Sequence, residues 1–506
     1  MLDVASPPRW VKVLDQTRCI GCHACTTACK SENEVPIGVT RTYVKSVDVG
    51  TFPNARRAFQ VTRCNQCEDP PCVEACPTGA MYRRPDGIVD FDKRVCIGCK
   101  ACMAACPYDA IFINPDDHSA EKCNFCAHRL DLGLEPACVV VCPVEAISVG
   151  DLSDPTSKVA KLVQRSPVAV RRPEKETRPG VFYRGADGAT LDPLAAARPT
   201  GGIYAWAGQG PPGARRVAAG DPRGHNSSAA AIISYDVPHK APWDWRVSLY
   251  TWTKGISAGA YLAPLVLVLA GRLAWSSALF RWAGPAVALA MLATTGAILV
   301  WDLEHPTRVW MLFARPQWRS WLVRGGVIIT AYGAALVAAM VAAASGSVGA
   351  EQVVAGFCLP LAALAAGYTA YLFAQARGRD LWQSQLLAPH LLAQALMVGA
   401  AALYLVGTSI GTTGVGLADL LAATAALHLF MVAGEAMPRH PTVHVHMAVA
   451  EMVHGRFAAF FWVGIALSVV AVFSPWIGPV GAVAALLGIA AHKHAYVQAG
   501  QAVPLA

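Results

Sequence analysis

Charge is scarce in this chain of 506 residues. Only 15% are Asp, Glu, Lys or Arg, against 54% hydrophobic, and the mean hydropathy is positive. An ordinary soluble domain carries about 25% charged residues, so the composition points away from one. Two further scarcities divide the chain. Long apolar runs are nearly missing before residue 246, and beyond Cys142 only one cysteine, Cys358, remains. The formal charge of +8 is not accompanied by any basic run interleaved with aromatics, so nucleic acid is not an expected partner. Basic residues flanking membrane spans explain it better. Residues 1–18 contain no apolar core and no twin-arginine pair, so no cleavable signal peptide is expected there. The compartment stays open, because a folded subunit can be exported on a partner that carries the signal.

What is present is cysteine, in four groups of four. The first is Cys19, Cys22, Cys25 and Cys29, and the third is Cys96, Cys99, Cys102 and Cys106 followed by Pro107. Both have spacings of two, two and three, the run found in bacterial ferredoxins. The second is Cys64, Cys67, Cys72 and Cys76 followed by Pro77. The fourth is Cys123, Cys126, Cys138 and Cys142 followed by Pro143. Two residues between cysteines let a tight loop aim successive thiolates at three irons of one cluster. The fourth thiolate, on the next turn, points to a neighbouring cluster, and a proline after it removes a backbone donor and fixes the chain direction. Sixteen thiolates at four per cubane predict four 4Fe–4S clusters with none left over. Zinc ribbons also use paired cysteines, but rarely with the three-residue fourth spacing or as a fourfold repeat.

The predicted organisation is a cysteine-rich domain over residues 1–150, an extended linker over 151–240 and a membrane domain over 241–506. Short strand-like runs separate the cysteine groups at Trp10–Val13, Gly87–Phe91 and Ala110–Ile113. The linker is rich in Pro, Gly, Ala and Arg, with many breakers in Arg198–Gly213. Beyond it lie eight apolar runs near the length of about 20 residues needed to span a bilayer: Ser248–Ala270, Ala283–Trp301, Val323–Ala344, Val353–Gln375, Leu386–Gly407, Gly416–Gly434, Phe457–Phe473 and Ile477–Ala491. The last two are short. Small residues such as Gly255, Ser257 and Gly259 suit close helix packing in lipid. The fold class is therefore α+β ferredoxin-like repeats with four clusters, followed by an all-α eight-helix transmembrane bundle.

Ionisable residues at or inside spans are expensive and usually functional. Lys254 lies within the first span, after Tyr250, and Asp302, Glu304, His305 and Arg308 close the second. His390 falls in the fifth, His428 and Glu435 in or at the end of the sixth, and Glu451, His454 and Arg456 open the seventh. Arg308, Arg315 and Arg319 also fit headgroup anchors, and His428 fits an interhelical hydrogen bonder better than a ligand. No two histidines fall on facing spans at an obvious matching depth, so haem is not expected.

Residues 10–150 resemble the four-cluster iron–sulfur subunits of molybdopterin oxidoreductases of the dimethyl sulfoxide and polysulfide reductase type. The carrying pieces are CIGCHACTTACK, CNQCEDPPCVEACPTGA, CIGCKACMAACPYDA and KCNFCAHR with PACVVVCPVEAI. Spacing alone does not say which groups share clusters. The resemblance implies that Cys19, Cys22, Cys25 and Cys142 hold one cubane and Cys29, Cys123, Cys126 and Cys138 its neighbour. It likewise implies a third set of Cys64, Cys67, Cys72 and Cys106, and a fourth of Cys76, Cys96, Cys99 and Cys102. Group one departs from the pattern in having Lys30 where the proline would stand.

Residues 243–475 resemble the NrfD-like polysulfide-reductase membrane subunits through YTWTKGISAGAYL, DLEHPTRVW, WQSQLLAPHLL and EMVHGRFAAFFW. That resemblance implies eight spans, no haem and a quinone site at the end of the bundle nearest the clusters. There a side chain must exchange protons with the quinone. Tyr250, Lys254, Asp302 and His305 are the expected headgroup residues, with Glu435 and Glu451 on a proton path.

With eight spans both ends of the membrane domain share a side. On it fall Lys240, Arg246, Arg308, Arg315, Arg319, Arg324, Arg377, Arg379, Arg439, Arg456 and Lys493, against Arg272 and Arg281 on the other. The positive-inside rule then puts the cluster domain on the cytoplasmic face of a bacterial inner membrane, although some of these arginines could dock the cluster domain instead. The leading expectation is a hetero-oligomeric electron-transfer subunit. It would join a molybdenum or tungsten bis-pterin catalytic subunit to menaquinone or ubiquinone. The rivals are a subunit that also moves protons or sodium, as in quinol-oxidising alternative complexes, and a redox-silent scaffold.

Overall fold

A computed structural model describes residues 7–50, 53–197, 231–411, 416–437 and 440–506. The breaker-rich stretch Arg198–Gly213 and Arg439 lie outside the described residues.

The N-terminal half repeats one local solution. In the loops after Cys19 and Cys96, Gly21 and Gly98 have φ of +70° and +68°, and His23 and Lys100 follow at +59° and +61°. Glycine adopts that conformation without steric cost, and it curls each loop so that its thiols converge. Short helices follow at Ala24–Glu32 and Ala101–Ala105, with a related one at Pro71–Ala75. The latter two end on Cys106 and Cys76 in extended conformation, ahead of a proline.

Eleven strands are described: β1 (Trp10–Asp15), β2 (Thr42–Val49), β3 (Arg56–Arg63), β4 (Met81–Arg83), β5 (Val89–Phe91), β6 (Ile111–Ile113), β7 (Ala120–Lys122), β8 (Ile147–Asp151), β9 (Val168–Ala169), β10 (Val181–Arg184) and β11 (Ala231–Tyr235). The three expected strand-like runs correspond to β1, β5 and β6. Hairpins β4–β5 and β6–β7 each follow a cysteine–proline pair.

The linker expected over 151–240 is not an extended spacer over its described part. β10 runs parallel to β1, which also pairs antiparallel with β8, and β9 pairs with β10. β11 extends the β2–β3 sheet. These strands are too short, and too widely separated by Pro and Gly, to show a period of their own. Partners distant in sequence make them strands.

The C-terminal half is helical: α1 (Trp245–Leu269), α2 (Gly284–Trp301), α3 (Trp321–Ser345), α4 (Val348–Ala374), α5 (Leu387–Ser409), α6 (Leu417–Ala436), α7 (Val443–Val453), α8 (Ala458–Val472) and α9 (Pro479–Gly500). Among the described residues seven helices, α1 to α6 and α9, are each long and apolar enough to cross a membrane. An eighth crossing is possible if α7 and α8, bent by 72°, act together. The break is built by Glu451, whose Oε2 accepts from the Arg456 amide at 3.2 Å. α9 runs to Gly500 rather than stopping at Ala491. His492 and Lys493 ended the apolar run in sequence but are buried inside the bundle. Lys493 is therefore not a loop residue of the basic side.

α1 is the central helix, packed on α2, α4, α5 and α9. The two halves meet through backbone contacts. The amides of Glu304 and His305 donate to the carbonyls of Gly98 and Ile97 at 3.4 and 3.2 Å, and the Gln317 amide donates to Pro77 at 2.9 Å. Ser320 Oγ donates to the Ala75 carbonyl at 2.8 Å. The loops after α2 and before α3 thus hold the two loops that carry Cys76 and Cys96–Cys102.

Candidate functional site

Folding brings the sixteen N-terminal cysteines into four quartets, none of them joined by a disulfide. Cys19, Cys22, Cys25 and Cys142 surround one small cavity, and Cys76, Cys96, Cys99 and Cys102 another. Cys29 faces Cys123, Cys126 and Cys138. Cys72 faces Cys64, Cys67 and Cys106. The resemblance implied cluster ligation by these same four sets. In a zinc tetrathiolate, bonds of about 2.3 Å put the sulfurs about 3.8 Å apart. Among the described residues no three cysteine sulfurs lie within 4.8 Å of one another. Thiolates on four separate irons of a cubane need that wider spread.

Polar groups surround the sulfurs. Arg63 Nη1 donates to Cys138 Sγ at 3.2 Å and Lys12 Nζ at 3.6 Å, and both cations are essentially fully buried. Burial alone would raise the Cys138 thiol, but Lys12 and Arg63 outweigh it and pull it down to about 7. Burial dominates at Cys25, which is pushed up to about 11. Asn33 Nδ2 lies 3.7 Å from both Cys29 and Cys126 sulfurs. The amides of Met81 and Ala146 donate to Cys76 and Cys142 at 3.3 and 3.2 Å.

Between the two halves lies a mostly apolar cleft of about 850 Å³. Arg172, between β9 and β10, and Leu194 form one wall, and Asp380, Glu435, His444 and Tyr496 the other. Arg172 Nη1 also donates to the Pro107 carbonyl at 3.4 Å, so one side chain touches both the cleft and the residue after Cys106. Neither Arg172 nor His444 stood out in sequence. Arg172 sits in the supposed linker, and His444 in a helix that reads as the approach to a span.

The membrane residues singled out from sequence separate into three places. Lys254 Nζ donates to the Ala366 carbonyl at 3.2 Å and to Thr369 Oγ1, deep in the bundle, where Tyr250 is also buried. Asp302 lies at the junction, 3.7 Å from Lys100 and 3.3 Å from Arg246, and His305 beside it bonds the Ile97 carbonyl. Glu435 lines the cleft, whereas Glu451 braces the α7–α8 bend. None of Tyr250, Lys254, Asp302 and His305 lines the cleft.

The expectation that no histidines face each other between spans is overturned. His390 of α5, His428 of α6 and His492 of α9 are all buried, and His390 Nε2 is 2.8 Å from His428 Nδ1. The His492 ring centroid lies 4.9 Å from that of His428 and 5.8 Å from that of His390. Sequence distance hid this, because α5 and α6 run antiparallel and α9 joins them late. Several basic residues counted toward the membrane side also dock the halves. Arg308 Nη1 donates to the Lys93 and Cys96 carbonyls, each at 2.9 Å, and Arg377 pairs with Glu74 at 3.0 Å.

Comparisons with known proteins agree with this architecture. Residues 56–152 match the model of the 4Fe-4S dicluster domain family, and residues 235–504 that of the polysulphide reductase NrfD family. The N-terminal part is 44% identical over 194 residues to a tetrathionate reductase subunit of Salmonella typhimurium, covering 37% of this chain and 76% of that protein. It is 44% identical over 171 residues to a polysulfide reductase subunit of Wolinella succinogenes, covering 33% and 90%. It is 36% identical over 219 residues to the arsenate respiratory reductase iron-sulfur subunit of Shewanella sp., covering 34% and 94%.

Proposed function

Because the chain belongs to the polysulphide reductase NrfD family, with a 4Fe-4S dicluster domain fused ahead of it, we propose that it is the electron-transfer subunit of a membrane-bound respiratory oxidoreductase. It would exchange electrons between a molybdenum or tungsten bis-pterin catalytic subunit and menaquinone or ubiquinone. The observation that carries the reading is the contact of Arg172 with Pro107 on one side and the cleft on the other, which brings the Cys106 quartet beside a cavity of ligand size.

In this reading the four quartets hold four 4Fe–4S clusters: Cys19, Cys22, Cys25 and Cys142; Cys29, Cys123, Cys126 and Cys138; Cys64, Cys67, Cys72 and Cys106; and Cys76, Cys96, Cys99 and Cys102. When bound, the clusters supply one-electron relays at potentials set by burial and hydrogen bonds to sulfur. The chain's own residues do the rest. Lys12 and Arg63 offset negative charge at Cys138, and the junction loops fix the Cys96–Cys102 loop against α2. In the cleft the apolar wall takes a quinone ring and tail while Glu435 and His444 exchange its protons. Asp302 and His305 serve the junction. The exposed Cys22 with Ile20 marks the face for the catalytic partner, whose substrate class in the relatives is an oxidised sulfur or arsenic compound.

The protein is a multi-pass membrane protein. We place the cluster domain on the cytoplasmic face of a bacterial inner membrane. Arg315, Arg319 and Arg324 support that side, since Arg308 and Arg377 are taken up by docking.

The test is reduction of the purified chain with dithionite, followed by a short-chain naphthoquinone. Reoxidation of four reduced clusters per chain supports the reading. Iron near four clusters with no quinone response in wild type would overturn the quinone assignment, and zinc in place of iron at the cysteine quartets the whole of it.

A second reading, ion translocation, is favoured by buried polar contacts that continue from Lys254 toward the far end of α1 and α4. Tyr332 donates to the Ser257 carbonyl at 3.0 Å, Cys358 Sγ donates to the Ala335 carbonyl at 3.3 Å, and Arg281 pairs with Glu351 at 2.7 Å. Proton release on both sides of sealed vesicles during turnover separates it from one-sided chemistry.

A further inference from the structure

Three histidines on three different helices, all buried in a membrane domain, require an explanation that packing alone does not give. His390, His428 and His492 each offer a ring nitrogen, and these three atoms all lie within 4.8 Å of one another. His428 Nε2 and His492 Nδ1 are buried without a hydrogen-bond partner among the described residues, which is unfavourable for each atom so left. His390 is oriented differently: its Nδ1 meets Glu435 Oε2 at 3.1 Å, and its Nε2 lies 2.8 Å from His428 Nδ1 and 3.2 Å from Gln394 Nε2, an amide that must turn aside for this nitrogen to bind an ion. A carboxylate on the outer nitrogen is how ligating imidazoles are commonly held.

We propose that His390, His428 and His492 form a binding site for one divalent first-row transition-metal ion, with zinc the best fit. Three neutral nitrogens without a thiolate suit zinc or copper. Tetrahedral bonds of about 2.0–2.1 Å put ligand nitrogens about 3.3 Å apart, between the 2.8 Å of the His390–His428 contact and the 4.8 Å limit. Small ring rotations close the site. The ion takes the place of the hydrogen bond between His390 and His428; the ring proton that bridged them moves to the outer nitrogen of His428, so all three imidazoles bind neutral. A cavity of about 20 Å³, bordered by His390, Gln394, His492 and Lys493, has room for one water as fourth ligand. Lys493 opposes a dication from that side, and Glu435 supplies the balancing negative charge on the other. Glu435 also lines the cleft, which gives the ion a way in.

The site is tested by metal content and by X-ray absorption, neither of which needs turnover. The full chain with its clusters is purified in detergent, exposed to one equivalent of zinc sulfate and passed over a desalting column. One zinc per chain should be retained, with nitrogen scattering at about 2.0 Å and none of the sulfur scattering at about 2.3 Å that cysteine would give. His428→Gln and His492→Gln should each lower zinc retention at least tenfold while iron per chain stays at the wild-type value. Unchanged iron reports a folded protein, and the wild-type spectrum decides the ligand type even if a variant fails to fold. No retained zinc, sulfur-only scattering, or equal retention in the His428→Gln/His492→Gln double variant would overturn the proposal. The outcome is independent of the quinone reading, which a zinc-free chain could still satisfy.

Discussion

Lys100, in the turn between Cys99 and Cys102, reaches across the junction to Glu304 with Nζ 2.9 Å from Oε1. Asp302 Oδ1 lies 3.7 Å from the same ammonium. Beneath this pair the chains nearly touch. A Cβ placed on Gly98 would lie 2.3 Å from the Glu304 Cβ, so a larger residue at position 98 cannot keep the contact. Lys100 is only 11% exposed, which makes its loss more costly than that of a surface pair. Lys100→Met should destabilise the junction by about 1–2 kcal/mol. It should leave iron content unchanged and slow cluster reoxidation by quinone. Faster proteolysis between the halves, with full iron, is the expected signature. A variant with wild-type protease resistance and reoxidation would show that the pair does not matter.

Arg63 and Lys12 bear on redox potential. Both sit within hydrogen-bond reach of Cys138, and Arg63 Nε and Nη2 have no other partner among the described residues. A buried cation stabilises the more negative, reduced state of an adjacent cluster. Arg63→Met should therefore lower the potential of one cluster on the order of 60 mV, a tenfold shift in a one-electron equilibrium, and Lys12→Met should shift it the same way. Redox titration followed by electron paramagnetic resonance reads this directly. A rise in potential, or an equal fall at all four clusters, would sink the assignment.

The cysteine code was legible because ligand spacing is local: each loop needs only its own glycine and proline to aim its thiols. The spans were legible for a similar reason, as hydrocarbon thickness sets a run length that a single helix must satisfy alone. What stayed hidden depended on contacts between distant segments. β10 is a strand because β1 lies beside it. His390, His428 and His492 form a group only once α5, α6 and α9 pack. Lys493 looked like a span end because a buried lysine and a loop lysine are the same letter. Asp302 and His305 read as quinone residues because a charge beside lipid stands out in sequence, whereas the chain pairs it with the junction.

Helix packing gives a third prediction. α1 and α5 touch backbone to backbone, since a Cβ on Gly399 would fall 2.0 Å from the Gly259 carbonyl carbon. No rotamer relieves a clash with backbone, so the helices must separate. Gly399→Ala should cost about 1–3 kcal/mol and lower the melting temperature in detergent. Gly296→Ala is the control, because nothing lies within 4 Å of a Cβ there. Equal melting of the two variants would mean that α1 and α5 are not so closely packed.

The last prediction concerns pH. His239, in the segment between β11 and α1, is buried, with Nδ1 2.6 Å from Asp109 and Nε2 3.3 Å from Asp236. Burial alone would lower its pKa, but the two carboxylates outweigh that and raise it to about 9. Asp109 is three residues beyond Cys106, so the charged imidazole clamps the chain entering α1 to a cysteine loop. The unfolded value is about 6.5. Because the folded value is the higher one, the clamp's contribution is complete below about pH 6.5 and is lost as pH rises through about 9, at most about 3 kcal/mol. Other groups titrate over that range, so the difference from His239→Gln isolates this one. Wild type should lose stability relative to the variant between pH 6.5 and 9, and the two curves should run parallel above that range. Parallel curves across the whole range, or a gap that widens with rising pH, would show that His239 is not held charged.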